Sequence, residues 1–153
     1  MVKFKIGVFS YLTLLILLFS CRNKNEETKL FSMMENTGIQ FTNTVHDQEI
    51  NNSFLFRNFY NGGGVGIGDI NNDGLADVLL TSNMGDNKLF LNKGNWKFED
   101  ISAGSGMKQD SMWSTGVTFV DINNDGWLDI YICNSGNMQN GNRRNKLYIN
   151  NHD

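Results

Sequence analysis

The sequence predicts an all-β protein, a partial β-propeller of four-stranded blades with calcium loops, preceded by a signal peptide. Three observations carry that expectation. From Leu30 onward, short apolar runs punctuated by Gly and Asn follow one another with no sustained helical period. The stretch Asp69-Ile70-Asn71-Asn72-Asp73-Gly74-Leu75-Ala76-Asp77 recurs 52 residues later as Asp121-Ile122-Asn123-Asn124-Asp125-Gly126-Trp127-Leu128-Asp129. The apolar runs around each copy recur with it, and internal repetition among short strands favours a propeller over a sandwich or barrel.

The repeat can be followed element by element. Gly64-Val65-Gly66-Ile67-Gly68 leads into the first acidic stretch, as Gly116-Val117-Thr118-Phe119-Val120 leads into the second. An apolar strand comes next, Val78-Leu79-Leu80 or Ile130-Tyr131-Ile132, and after a turn Asn87-Lys88-Leu89-Phe90-Leu91-Asn92 or Asn145-Lys146-Leu147-Tyr148-Ile149-Asn150. The displacement of this third element is 58, so the second repeat carries six extra residues around Met138 to Arg144. A fourth strand, Trp96 to Ile101, closes the first repeat, and four strands in about fifty residues make one blade.

The blades are expected at 61–106 and 107–153, the second incomplete. Asp153 falls at the position of Asn95, before any second fourth strand, so a truncated product or a fragment of a longer protein is expected. Residues 31–60 are expected to hold lead-in strands, Ile39 to Val45 and Phe54 to Tyr60. Phe31 to Ile39, which loosely echoes Phe98 to Met107, is a candidate ring-closing strand. The aromatics Trp96, Phe98, Trp113, Phe119, Trp127 and Tyr131 are expected in the blade core.

The N-terminus reads as export machinery. Lys3 and Lys5 precede an apolar run from Val8 to Phe19, too short for a stop-transfer helix of about 20 apolar residues. Residues 1–20 are therefore expected to be a lipoprotein signal peptide. Leu18-Phe19-Ser20-Cys21 resembles a bacterial lipobox, which implies lipidation at Cys21 and a polar tether over 21–30. The expected location is the periplasmic or cell-surface side of the outer membrane. Cys133 is expected to be a small buried strand residue.

Composition narrows the partners. Lys plus Arg number 13 and Asp plus Glu 16, and six of those acids sit in the two repeated stretches. No basic stripe of the kind nucleic acids require is present, so no nucleic-acid partner is expected. His46 and His152 lack a Cys or His at zinc spacing, and no Gly-x-Ser-x-Gly elbow occurs. The glycine run from Gly62 is not a dinucleotide fingerprint, because Gly-x-Gly-x-x-Gly fails at Asp69.

The acidic stretches are cation loops in their chemistry. Calcium takes six to eight oxygen ligands, and alternate positions of a tight loop supply them. The first site is expected to use the side chains of Asp69, Asn71, Asp73 and Asp77 with the carbonyl of Leu75. The second is expected to use Asp121, Asn123, Asp125 and Asp129 with the carbonyl of Trp127. Gly74 and Gly126 permit the left-handed turn around the ion. An EF-hand would place a bidentate Glu at the twelfth position, which here is Leu80 or Ile132. Three carboxylates per loop suit weak affinity, on the order of 10⁻⁴–10⁻³ M. The duplicated spacing fits a structural cation better than a unique acid/base site.

These segments resemble FG-GAP/VCBS repeats, the calcium-loop blades of integrin α-chain propellers and many bacterial surface proteins. The string from Asn61 to Asp69, with Asn87 to Asn92, is similar to a subset of Bacteroidetes lipoproteins related to cartilage acidic protein and usually ending in an ASPIC/UnbV domain. The resemblance implies a non-catalytic, calcium-stabilised module of a cell-envelope lipoprotein with a protein or glycan ligand. The alternative is the propeller part of a larger enzyme or polysaccharide-processing accessory whose active site lies elsewhere.

Overall fold

A computed structural model describes residues 29–107, 112–135 and 143–152. The expected signal peptide, Cys21 and nearly all of the six-residue insertion lie outside them. Residues 1–33 and 34–153 cluster as separate units, and the strands all belong to the second. The described residues contain no helix, and so none long and apolar enough to cross a membrane.

Seven strands follow in chain order: β1 (Val65–Gly68), β2 (Asp77–Leu80), β3 (Lys88–Asn92), β4 (Phe98–Asp100), β5 (Trp113–Val120), β6 (Asp129–Ser135) and β7 (Lys146–Tyr148). They form two antiparallel meanders, β1-β2-β3-β4 and β5-β6-β7. The registers repeat as the sequence does. Ile67 faces Val78 as Phe119 faces Ile130, and Val78 faces Phe90 as Ile130 faces Tyr148. In the second sheet a bulge between Ser114 and Val117 shifts the register of β5.

The apolar core lies between the sheets. Leu79 and Leu89 of the first sheet meet Ile130 and Ile132 of the second, with Val117, Phe119 and Tyr148 packed around them. Glycine sets how closely the sheets approach. A Cβ on Gly66 would stand 3.2 Å from the Phe119 ring, and one on Gly68 2.9 Å from it. The alternating glycines of β1 are thus a seat for Val117 and Phe119, which places the first strands of the two sheets side by side.

At the end of the sheets away from the acidic loops, buried polar groups join the two. The Thr81 hydroxyl donates to the Thr115 carbonyl at 2.7 Å and accepts from the Gly64 amide at 2.6 Å. Asn83 Nδ2 donates to the carbonyls of Gly62 and Ser114 at 3.1 and 3.0 Å. Every one of these groups is partnered, so their burial carries no desolvation penalty of the unpaired kind.

The lead-in differs from expectation. Residues 39–45 alternate between half-buried and exposed, as an extended segment does, but they pair with no strand. Their anchor is Asn43, whose Oδ1 accepts from the Asn83 amide and the Ser82 hydroxyl and whose Nδ2 donates to Asn83 Oδ1. Residues 54–60 are turns rather than a strand. Asn52 Oδ1 caps the amides of Phe54 and Leu55, and the chain then folds back on itself through Phe56 and Asn58. Phe56 meets Trp113 of β5 edge to face and Phe59 meets it at a tilt, with ring centroids 5.6 and 5.1 Å away. Residues 36–38 lie against β4, where the Thr37 carbonyl accepts from the Phe98 amide at 2.8 Å; they form no strand. Trp96 was expected in the core, yet it is 64% exposed in the left-handed turn before β4.

Candidate functional site

The two acidic loops occupy the same place in their sheets, between the first and second strands. Sequence dictates their shape locally. Asn72 and Asn124 take positive φ of 55° and 61°, and Gly74 and Gly126 take 84° and 88°. Asn and Gly are the residues that tolerate this backbone.

The side chains then repeat bond for bond. Asp69 Oδ1 and Oδ2 accept from the amides of Asp73 and Gly74 at 3.1 and 2.8 Å, and Asp121 accepts from those of Asp125 and Gly126 at 3.1 and 2.9 Å. Asn71 Oδ1 accepts from the Asp73 amide and Asn123 Oδ1 from that of Asp125, each at 3.2 Å. Asp73 Oδ1 accepts from the Leu75 amide at 2.8 Å, and Asp125 Oδ1 from that of Trp127 at 2.9 Å.

The last acid of each loop is buried. Asp77 and Asp129 open β2 and β6 at 0% and 1% exposure. Asp77 Oδ2 accepts from the Ile70 amide at 3.0 Å and Oδ1 from the Asn92 amide at 2.8 Å. Asp129 does the same with Ile122 at 3.1 Å and Asn150 at 2.8 Å. Each therefore ties the start of its loop to the chain at, or just past, the end of the third strand of its sheet. Burial pushes the Asp77 carboxyl above its ordinary range; the Asn92 and Ile70 amides pull it down, and the charges of Asp73 and Asp69 add to the rise. Asp125 is lowered, first by the Trp127 amide and then by Asn123 and His152.

The structure thus brings Asp69, Asn71, Asp73, Leu75 and Asp77 into one loop, and Asp121, Asn123, Asp125, Trp127 and Asp129 into the other. Their donors are hard oxygens, the chemistry calcium takes. Each carboxylate oxygen that accepts one backbone amide retains a second lone pair. Among the described residues, no three His, Cys, Asp or Glu side chains converge closely enough to hold an ion by themselves. An ion here would need the Asn side chain and the backbone carbonyl as well as the acids.

Three participants escaped the sequence. Asn92, the last residue of β3, and Asn150, two residues past β7, clamp the loops: Asn92 Nδ2 donates to the Ala76 carbonyl at 3.0 Å, and Asn150 Nδ2 to those of Leu128 at 3.2 Å and Ile70 at 2.8 Å. Their signal was present, as each ends the repeated Lys-Leu-x-x-Asn run. His152, which lacks a Cys or His partner at zinc spacing, has Nε2 at 3.1 Å from Asp125 Oδ2 and stacks on Trp127 at 4.8 Å. The first loop has no such neighbour in its own sheet. The loops also touch, Asn72 Nδ2 donating to the Gly126 carbonyl at 3.2 Å. Beside the second loop a groove of about 520 Å³ opens between the sheets, lined by Leu89, Ile101, Met107, Trp127, Ile130 and Tyr148 among others.

Loop, strand and clamp therefore form one repeated unit. Residues 69–132 match the FG-GAP-like repeat. The chain carries FG-GAP-like repeat sequence. It is homologous to cartilage acidic protein 1: 37% identical over 78 residues to the Xenopus tropicalis protein, covering 50% of this chain and 12% of that one. The Mus musculus protein is 36% identical over 73 residues, 48% of this chain and 11% of that one, and the Homo sapiens protein 36% over 76 residues, 49% and 12%. The chain thus spans only a small part of the length of these relatives. No solved structure matches it.

Proposed function

We propose that this FG-GAP-like segment is a calcium-stabilised, propeller-type module without catalytic function, whose role is recognition of a protein or glycan. The observation that carries the reading is the duplication of one oxygen-donor loop at one topological position. A cation there would offset the charge of Asp69, Asp73 and Asp77, and of Asp121, Asp125 and Asp129. It would also fasten the first two strands of each sheet, so that binding and folding are coupled. Two meanders whose first strands lie side by side, with apolar residues filling the space between the sheets, are the packing that propeller blades use. Recognition would fall on the loop end of the module. There Trp127 and His152 line the groove between the sheets, an aromatic face with polar neighbours. Cys21 anchors the module to the outer membrane in this reading, on the strength of the lipobox-like run before it.

Calcium should raise the melting temperature of the chain, and Asp73→Ala with Asp125→Ala should abolish that rise. An unchanged calcium response in the double variant would overturn the ligand assignment. For the anchor, Cys21→Ser should release the protein from bacterial membranes; a variant that stays membrane-bound would refute it.

A further inference from the structure

The two acidic loops are bonded to each other through side chains that are not among the candidate cation ligands. Asn72 stands fourth in its loop, between Asn71 and Asp73, and is exposed. Its Nδ2 donates to the Gly126 carbonyl at 3.2 Å. Gly126 is the turn residue of the second loop, and its own amide donates to Asp121 Oδ2 at 2.9 Å. The first loop thus holds the point at which the second turns back onto its first carboxylate.

The return contact comes from Asn150. Its Nδ2 donates to two carbonyls, that of Ile70 in the first loop at 2.8 Å and that of Leu128 in the second at 3.2 Å. Ile70 lies between Asp69 and Asn71, and its amide donates to Asp77 Oδ2 at 3.0 Å. Leu128 lies between Trp127 and Asp129, and the Asn150 amide itself donates to Asp129 Oδ1 at 2.8 Å. One side chain therefore joins the peptide groups that flank the ligands of both loops. Asn92 holds the matching place in the first repeat and makes the local half of this arrangement, its Nδ2 on Ala76 of its own loop and its amide on Asp77. The bridge is an addition to the repeated plan.

We propose that the two loops take up calcium as a coupled pair, with Asn72 and Asn150 as positioning residues. An ion in either loop fixes the backbone to which these side chains are bonded, so the other loop has less ordering left to do when its own ion arrives. Charge opposes the coupling only weakly. With three carboxylates, a loop that holds a divalent ion is still formally negative, and salt screens what passes between the loops. Linkage makes the effect reciprocal, each loop raising the affinity of the other by the same factor. The proposal rests on the calcium reading above and adds to it that the sites are not independent.

Amide NMR of the full chain during a calcium titration at physiological salt reads the loops separately, through Gly74 and Gly126. Asp73→Ala should weaken the Gly126 response at least about fivefold, and Asp125→Ala should weaken that of Gly74 by a comparable factor. Both acids are exposed, so the sheets should persist, which the amides of Leu79 and Ile132 check. Asn72→Gly keeps the left-handed backbone and deletes the donor. Combined with Asn150→Ala, it should bring both factors to about one. Asn92→Ala should weaken the first loop and leave the factors as they are. A parent chain without the coupling would overturn the proposal and leave the calcium reading standing. So would factors that survive Asn72→Gly with Asn150→Ala, or that Asn92→Ala lowers as far. No calcium response at Gly74 and Gly126 would overturn both readings.

Discussion

The two halves of the second unit share a sequence plan and a register, yet they sit in different surroundings. In the first, the glycine strand β1 is pressed against β5 and its loop stands against the second loop. In the second, the equivalent strand β5 sets the bulky Val117 and Phe119 on those glycines, and the loop has His152 stacked on its Trp127. Equivalent residues should therefore respond differently to the same change, and the size of that difference measures how much of the fold is local.

The largest difference is expected at Gly64 and Gly116, which occupy the same place in the repeat. A Cβ on Gly64 collides with the Thr115 carbonyl, whereas one on Gly116 makes ordinary contact with Cys133 at 3.8 Å. Gly64→Ala should cost more than about 3 kcal/mol in chemical denaturation, because backbone cannot yield as a flexible side chain can. Gly116→Ala should stay within about 1 kcal/mol and can stabilise by restricting the unfolded chain. Equal costs would contradict the close approach of β1 and β5.

Next come the buried acids. Asp77→Ala strands the amides of Ile70 and Asn92, and Asp129→Ala those of Ile122 and Asn150. Each loss is about 2–4 kcal/mol by the cost of unpaired buried donors. Here the halves should behave alike, since burial and partners are alike; a gap of several kcal/mol between them would break the equivalence.

A smaller, one-sided effect belongs to His152. Replacing it by Ala removes one of the contacts that lower Asp125, so the Asp125 carboxyl should titrate higher in an NMR pH series. The smallest concerns Lys88 and Asp100, a surface pair at 2.8 Å that holds Asp100 at about 2 against an ordinary 3.8. A depressed carboxyl contributes stability above its unfolded value, and that contribution fades as pH falls from about 4 towards 2. Lys88→Met should weaken this pH dependence, leaving the part that the Ser102 hydroxyl and amide sustain, at a cost within about 1 kcal/mol near neutrality, solvent screening keeping it small.

Much of this was readable in the chain. β1 and β3 fall where apolar alternation and the flanking glycines and asparagines put them, and the repeat located both loops to the residue. The lead-in was misread because Ile39 to Val45 and Phe54 to Tyr60 have strand composition while their bonds are decided elsewhere, by Asn43 reaching Asn83 and by Asn52 capping its own turn. Trp96 was misread because an aromatic beside a strand looks like core until the left-handed turn carries it into solvent. The clamps Asn92 and Asn150 were hidden for a different reason: an Asn at or just past a strand end has many uses, and only the fold brings it to the loop.

Each loop is proposed to hold one calcium ion. Equilibrium dialysis against calcium measures this directly. Two ions per chain are predicted, with dissociation constants on the order of 10⁻⁴–10⁻³ M, falling to one in Asp73→Ala and to none when Asp125→Ala is added. No binding up to about ten times that range, or a stoichiometry the substitutions leave untouched, would contradict the account.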